Sequence, residues 1–329
     1  RTGRHRDWRD AQFYGLMLDM DENELAQMRR VSVAKISESL KSALPPFVRR
    51  TTRVGRHDER IQVGMAVQSL RDERHAHALK RQLALHDGSR FAIHIYSPTR
   101  HPELEHGEML KPHAASVTEI AHMSDVEAAG RLRLDQLDVF VDMTFDTAWC
   151  RPEIPELRVA PVQLRQLTWH RHNPPRPCDY NMSDRFVHPD GLDLAPYGAV
   201  VRLPHTCWLA AHDETPEAGW DSREQAGLPA DALVLCATVP SVMLDPASFA
   251  AWMKILRSLP DAVLWLPAYS LPIAANLVRE ANAAGVHESR LIFTHRLTRA
   301  QSLACLKHAD LFLDTLRFNA NLGWKMRCA

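Results

Sequence analysis

Arg223-Glu-Gln-Ala-Gly-Leu-Pro-Ala-Asp-Ala-Leu-Val-Leu-Cys236 opens the stretch that decides the fold. Asp245-Pro-Ala-Ser-Phe-Ala-Ala-Trp-Met-Lys-Ile-Leu256 follows, then Ala262-Val-Leu-Trp-Leu266, Arg290-Leu-Ile-Phe293 and Ala309-Asp-Leu-Phe-Leu-Asp-Thr-Leu-Arg-Phe-Asn-Ala-Asn321. Short unbroken apolar runs alternate with segments of helical period. That pattern implies a parallel sheet, whose strands are buried on both faces and joined by helical crossovers. Strands are expected at 233–238, 262–266, 291–294 and 311–313, and helices at 246–259, 273–284 and 299–308.

Upstream, the same alternation recurs. Ile61-Gln-Val-Gly-Met-Ala-Val, Phe91-Ala-Ile-His-Ile-Tyr and Leu137-Asp-Val-Phe-Val-Asp-Met read as strands. Val159-Ala-Pro-Val-Gln-Leu reads as a fourth, which Pro161 demotes from a central place because proline cannot donate to a ladder. Helical patterns lie at 74–86 and 125–137. The chain therefore divides into a helical N-terminal segment and linker (1–57), a first Rossmann-like domain (58–215) and a second (216–329). Asp19-Met-Asp-Glu-Asn-Glu-Leu-Ala-Gln-Met-Arg-Arg puts acids first and bases last, as a helix macrodipole favours. It is expected to form a surface helix packed on the first domain. No internal period stands out.

The bulk numbers exclude several classes. In 329 residues, forty basic and forty acidic side chains cancel, so no global field draws nucleic acid or anionic membrane. No apolar run is long enough to span a bilayer. The six cysteines form no Cys-x-x-Cys pair and fit a reducing compartment better than a disulfide framework, so a cytoplasmic setting is expected. There is no Walker loop or Gly-x-Gly-x-x-Gly. His75-x-His77 and His170-x-His172 lack a third ligand at an obvious spacing, so no metal site is expected. The opening Arg-Thr-Gly-Arg-His-Arg-Asp has no initiating methionine and no signal-peptide core, which suggests a fragment or a processed chain.

The order and wording of 223–321 resemble the nucleotide-sugar half of the protein O-linked N-acetylglucosamine transferases, the SPINDLY-like glycosyltransferases. Further landmarks are Leu157-Arg-Val-Ala-Pro-Val-Gln, similar to that family's Arg-Pro-Ala-Pro-Ile-Gln, and Asp179-Tyr-Asn-Met-Ser-Asp, similar to Asp-Tyr-Ile-Ile-Thr-Asp. Leu203-Pro-His-Thr resembles Met-Pro-His-Thr. The resemblance implies a GT-B-like α/β fold, two Rossmann-like domains facing a cleft. It implies transfer of N-acetylglucosamine from a UDP-sugar to Ser or Thr of a protein or peptide acceptor, with no obligatory cofactor.

The chemistry departs from the family more than the scaffold does. Cys236, Asp245 and Pro246 fix a register that puts Met243 where the family has the lysine that meets the donor diphosphate. A cation there offsets charge on the departing nucleotide, and methionine has none to offer. Lys254 lies further along the helix and is expected to face elsewhere. After the first strand, where the family has histidines, this chain offers Glu73, His75 and His77 as candidate catalytic groups. The glycine-rich loop between the two landmarks is replaced by Thr168-Trp-His-Arg-His-Asn-Pro.

On the donor side the resemblance assigns Leu297 and Arg299 to base and ribose contacts, and Asn319 and Asn321 to the diphosphate-binding turn. The family-like wording stops at Asn321. A doubly wound domain would continue with further strands, so the second domain is expected to be incomplete, through truncation or a frame shift. Three functions follow as expectations: a UDP-sugar-dependent transferase, a catalytically degenerate transferase-like domain that serves as a binding module, or a transferase that uses a different donor.

Overall fold

The computed structural model describes residues 15, 20–48, 59–67, 70, 73–97, 105–144, 151–166, 178–195, 198–207, 221–267, 269–294, 301 and 304–317. The chain forms two compact units, Arg1–Leu209 and Ala210–Ala329.

The first unit opens with helix α1 (Glu22–Leu40), capped by Asp21, whose carboxylate accepts the Asn23 amide. It packs on the unit through Ile36 and Leu40. Seven parallel strands follow: β1 (Ile61–Ala66), β2 (Phe91–Ser97), β3 (Ser116–Glu119), β4 (Val139–Asp142), β5 (Val162–Gln166), β6 (Tyr180–Asp184) and β7 (Val200–Leu203). Their spatial order is β3-β2-β1-β4-β5-β6-β7. The first six run in the doubly wound order of dinucleotide-binding sheets, with a seventh added at the edge. Crossover helices include α2 (Glu73–Ala84), the single turn α3 (Glu105–Glu108), α4 (Asp125–Leu134) and the single turn α5 (Glu153–Glu156).

Gly64 is where β1 must be thin: a β-carbon there would collide with the Leu137 side chain. Helix α4 is closed at its start by a capping box, Ser124 with Glu127. It ends at Leu134 rather than at Leu137, because Gln136 adopts φ +50° and turns the chain into β4. Arg133 of α4 holds the segment after α1. Its guanidinium donates to the carbonyls of Pro45 at 2.7 Å and Arg158 at 3.0 Å, and to that of Leu157, and lies 5.7 Å from the Phe47 ring centroid.

One expectation needs correcting, and three strands went unforeseen. β5 lies inside the sheet between β4 and β6, because Pro161 precedes its first residue and costs the ladder no donor. β3, β6 and β7 were not expected. They are short, and β6 carries polar residues on both faces, Ser183 and Asp184 among them, so neither an apolar run nor an alternation marks it.

Those buried polar groups find their partners in the chain that follows β6. Ser183 Oγ lies 2.6 Å from His188 Nδ1, both buried. Burial, and then the Arg202 charge, push the His188 imidazole below its ordinary value near 6.5, against the opposing pull of Asp184. The unfolded chain thus takes up this proton more readily than the folded one. The stability His188 contributes is present in full above pH 6.5 and is lost as pH falls below it. The slope of unfolding free energy against pH should therefore rise by up to about 1.4 kcal/mol per unit just below 6.5. Urea titrations of the wild type and of H188Q would test this; the same slope in both would refute it.

The second unit has strands β8 (Leu233–Cys236), β9 (Ala262–Leu266), β10 (Leu291–Phe293) and β11 (Leu311–Phe312), all parallel, in the order β10-β9-β8-β11. Its described helices are α6 (Pro246–Ser258) and α7 (Leu271–Ala283). Phe249, Trp252, Met253 and Leu256 of α6 recur at helical spacing and bury against Leu235, Leu264 and Leu266 on one face of the sheet. Val234, Cys236, Val263 and Trp265 point to the other face, where Leu228 and Cys305 cover them. Each large side chain so buried contributes about 1.5–3 kcal/mol.

The two sheets begin alike, a likeness the sequence reading did not find. Each runs third, second, first, fourth strand. Their fourth strands share a phrase, Leu137-Asp-Val-Phe-Val-Asp and Ala309-Asp-Leu-Phe-Leu-Asp. In each, the first aspartate clips the fourth strand to the first. Asp138 accepts the Gln62 amide at 2.9 Å and returns its own amide to the Gln62 carbonyl at 2.8 Å. Asp310 does the same with Val234, at 2.8 and 2.9 Å.

Candidate functional site

A doubly wound sheet opens a crevice at the carboxyl ends of its strands where the order reverses. In the second unit that point lies between β8 and β11. β8 leads through Ala237-Thr-Val-Pro into a 3₁₀ turn, Ser241–Met243, and then into α6. β11 leads into Leu313-Asp-Thr-Leu-Arg317.

These two segments are tied together by one cap. Asp245, buried at the N-cap of α6, accepts the Ser248 amide at 2.9 Å and the Ser248 hydroxyl at 2.5 Å. The same hydroxyl accepts the Leu316 amide at 2.7 Å. Burial pushes the Asp245 carboxyl up. The Ser248 hydroxyl and amide, the Ala247 amide and the Arg317 charge outweigh that and hold it below its ordinary value. Tyr269, after β9, donates to the Val239 carbonyl at 2.6 Å and braces the β8 segment. Burial, and then Cys236, push its hydroxyl well above the ordinary range, so it stays a donor.

Met243 is half-buried in the turn immediately before this cap, at the carboxyl end of β8. Lys254 is exposed on α6. Leu297, Arg299, Asn319 and Asn321 lie outside the described residues, as does the 168–174 loop.

In the first unit the order reverses between β1 and β4. A small cavity there is lined by Ala66, Asp142, Thr144, Arg151, Ile154 and Pro155, among others. Asp142 accepts the Thr144 amide at 3.0 Å and its hydroxyl at 2.6 Å. Arg151 is committed to the scaffold, donating to Asp125 at 2.6 Å and to the carbonyls of Ile120 and Met123 at 2.8 and 2.9 Å. β1 also leads toward α2, whose first turns carry Glu73, His75 and His77. Residues 73 and 77 are one helical step of four apart and share a face, while 75 stands on the opposite side. The helix thus groups two of the three candidates. His77 is half-buried; the side chains of Glu73 and His75 lie outside the described set.

The landmarks between the two sites hold the scaffold. Arg158, in left-handed backbone at φ +53°, makes a forked pair with Asp179, at 3.0 Å to Oδ1 and 2.7 Å to Oδ2. Asp179 also accepts the Gln163 amide at 2.8 Å. Gln163 accepts the Val159 amide and donates to the Pro155 carbonyl. Arg223 donates to Ala232, His308 and Asp310 in the second unit.

Sequence reasoning missed Ser248, Tyr269 and Arg317. Ser248 had a signal, since Asp245-Pro-Ala-Ser is the spacing of a capped helix start. Tyr269 and Arg317 had none, because their partners lie on other elements.

Residues 205–322 match the family described as Glycosyl transferase family 41. The chain is 21% identical over 280 residues to a probable UDP-N-acetylglucosamine–peptide N-acetylglucosaminyltransferase, SEC, of Arabidopsis thaliana, covering 83% of this chain and 29% of that protein. It is 30% identical over 94 residues to the UDP-N-acetylglucosamine–peptide N-acetylglucosaminyltransferase of Caenorhabditis elegans, 29% of this chain and 8% of that one. The chain therefore spans less than a third of these relatives' length. A lysine-to-methionine mutant of the Thermobaculum terrenum O-GlcNAc transferase has the same fold, with a TM-score of 0.80 at 21% identity over 97% of this chain and 60% of that one. The resemblance to the O-GlcNAc transferase and SPINDLY-like group, and the α/β fold it implied, both hold.

Proposed function

We propose that this chain carries the catalytic region of a UDP-sugar-dependent glycosyltransferase that moves N-acetylglucosamine to Ser or Thr hydroxyls of a protein. The observation that carries the reading is a coincidence of place. The family match at 205–322 spans the β8–β11 switch point and the cap that joins its two segments. Its relatives are UDP-N-acetylglucosamine–peptide transferases by name.

In this reading the second unit takes the nucleotide sugar, with Leu297 and Arg299 at base and ribose and Asn319 and Asn321 at the diphosphate. The acceptor oxygen forms a bond to the anomeric carbon. The bond from that carbon to the β-phosphate oxygen breaks, and its electron pair leaves on UDP. The hydroxyl proton passes to a base; Glu73 and His77, on one face of α2, are the candidates, with His75 on the other. The donor is the only small molecule required, with no metal or other cofactor. The scattered cysteines, none in a Cys-x-x-Cys pair, suit a cytoplasmic, reducing setting. Among the described residues no helix is long and apolar enough to cross a membrane.

Met243 favours one second reading, a degenerate transferase-like module that binds a partner without turnover. One pair of measurements tests both. Calorimetric titration of the chain with UDP should give saturable binding, and incubation with UDP-N-acetylglucosamine and a peptide pool should release UDP. Binding without release selects the degenerate module; no binding refutes the nucleotide-sugar reading.

A further inference from the structure

Met243 leaves the donor site of the reading above without the lysine its chemistry asks for, and the described residues offer one replacement. Four segments lead away from the carboxyl ends of β8, β9, β10 and β11. Their described residues are 237–245, 267 and 269–270, 294, and 313–317. Among these, Arg317 is the one lysine or arginine. It lies at the switch point, where a doubly wound sheet takes its ligand.

The start of α6 cannot fill the gap. Pro246 has no amide hydrogen, and the amides of Ala247 and Ser248 are already turned to Asp245. The helix end that would otherwise face an anion is closed by its own carboxylate.

Arg317 is placed by that same cap. The Leu316 amide is anchored on Ser248 Oγ at 2.7 Å, and that oxygen is 2.5 Å from Asp245 Oδ2. Residue 317 thus follows directly from a fixed point beside the first turn of α6. Met243 lies two residues before Asp245 on the other side of the cap. The Arg317 charge lies near enough to help hold the Asp245 carboxyl below its ordinary value. Arg317 is exposed, so a ligand can reach it. A guanidinium presents paired donors to phosphate oxygens, whereas the thioether of Met243 presents neither charge nor donor.

We propose that Arg317 is the diphosphate-binding cation of this chain, taking the charge-neutralising role that Met243 leaves unfilled. The proposal rests on the nucleotide-sugar reading of the second unit. As the sugar–phosphate bond breaks, the negative charge that gathers on the β-phosphate is met by this guanidinium from the β11 side of the switch point.

The test uses the full chain and two probes, UDP and uridine, which differ only in the diphosphate. R317Q should bind UDP roughly 10- to 100-fold more weakly than the wild type and bind uridine as well as it does. R317K should lie between, retaining charge without the fork. Adding M243K to R317Q should recover UDP affinity, since the two positions flank one cap. An unchanged ratio of UDP to uridine affinity in R317Q would overturn the proposal and leave the nucleotide reading standing. It would do so even if R317Q melts at a lower temperature, because that result marks Arg317 as a partner of Asp245 alone. A wild type that binds neither probe would instead remove the nucleotide reading, and the proposal with it.

Discussion

Asp184→Ala should cost the first unit about 4 kcal/mol, enough to consume much of the stability of an ordinary domain. The carboxylate is almost wholly buried and accepts three backbone amides, those of Phe186, Val187 and Cys207, each at 2.8 Å. Removing it leaves three donors facing a space that water reaches poorly, and each unsatisfied amide costs about 1–3 kcal/mol. Burial pushes this carboxyl up, but the amides of Cys207, Val187 and Phe186 outweigh it and hold it below 3.8. The stability it contributes is thus complete above its unfolded value and is lost only as pH falls through the lower folded one. Denaturant titration at pH 7 checks the magnitude; a loss under about 1 kcal/mol would mean that the amides find other acceptors. D184N, which keeps an acceptor but not the charge, should fall between.

Asp310→Ala should have the next largest effect, about 3 kcal/mol on the second unit. One oxygen accepts the amide of Val234, which is fully buried, at 2.8 Å; the other meets Arg223 at 2.8 Å. The ion pair itself is partly exposed and contributes little. The loss comes from the orphaned Val234 amide and from a guanidinium whose remaining bonds go to carbonyls. In a background with Trp8, Trp149, Trp169 and Trp208 of the first unit replaced by Phe, emission that includes the buried Trp252 and Trp265 reports this unit. Unfolding midpoints that agree between D310A and wild type would show that the clip adds nothing beyond the sheet ladder.

Much of the fold could be read in the sequence because its strands are apolar on both faces. Leu233–Cys236 and Ala262–Leu266 announce themselves as unbroken runs, and Ile61–Ala66 is interrupted only by Gln62 and Gly64. β6 does not, since its buried Ser183 and Asp184 are satisfied by His188 and by an amide 23 residues downstream. No local rule connects those positions. The candidate site divides the same way. Met243 and the Asp245-Pro246 helix start are fixed by short-range register. Arg317 matters only because Ser248 reaches across to Leu316, and that contact belongs to the fold alone. The family-like words proved to be mostly structural: Arg158, Gln163, Asp179 and Arg223 spend their polar groups on the backbone and on one another.

The paired clips have a kinetic side. Asp138 reaches Gln62, and Asp310 reaches Val234, across the same 76 residues. Closing a loop of that length costs about 4 kcal/mol of chain entropy before any contact between the two strands can offset it. Local strand–helix–strand pieces should therefore form early, and the fourth strand should dock late in both units. The segment that carries Arg317 is then among the last to arrive. In refolding experiments, recovery of UDP binding should lag behind the return of helical signal.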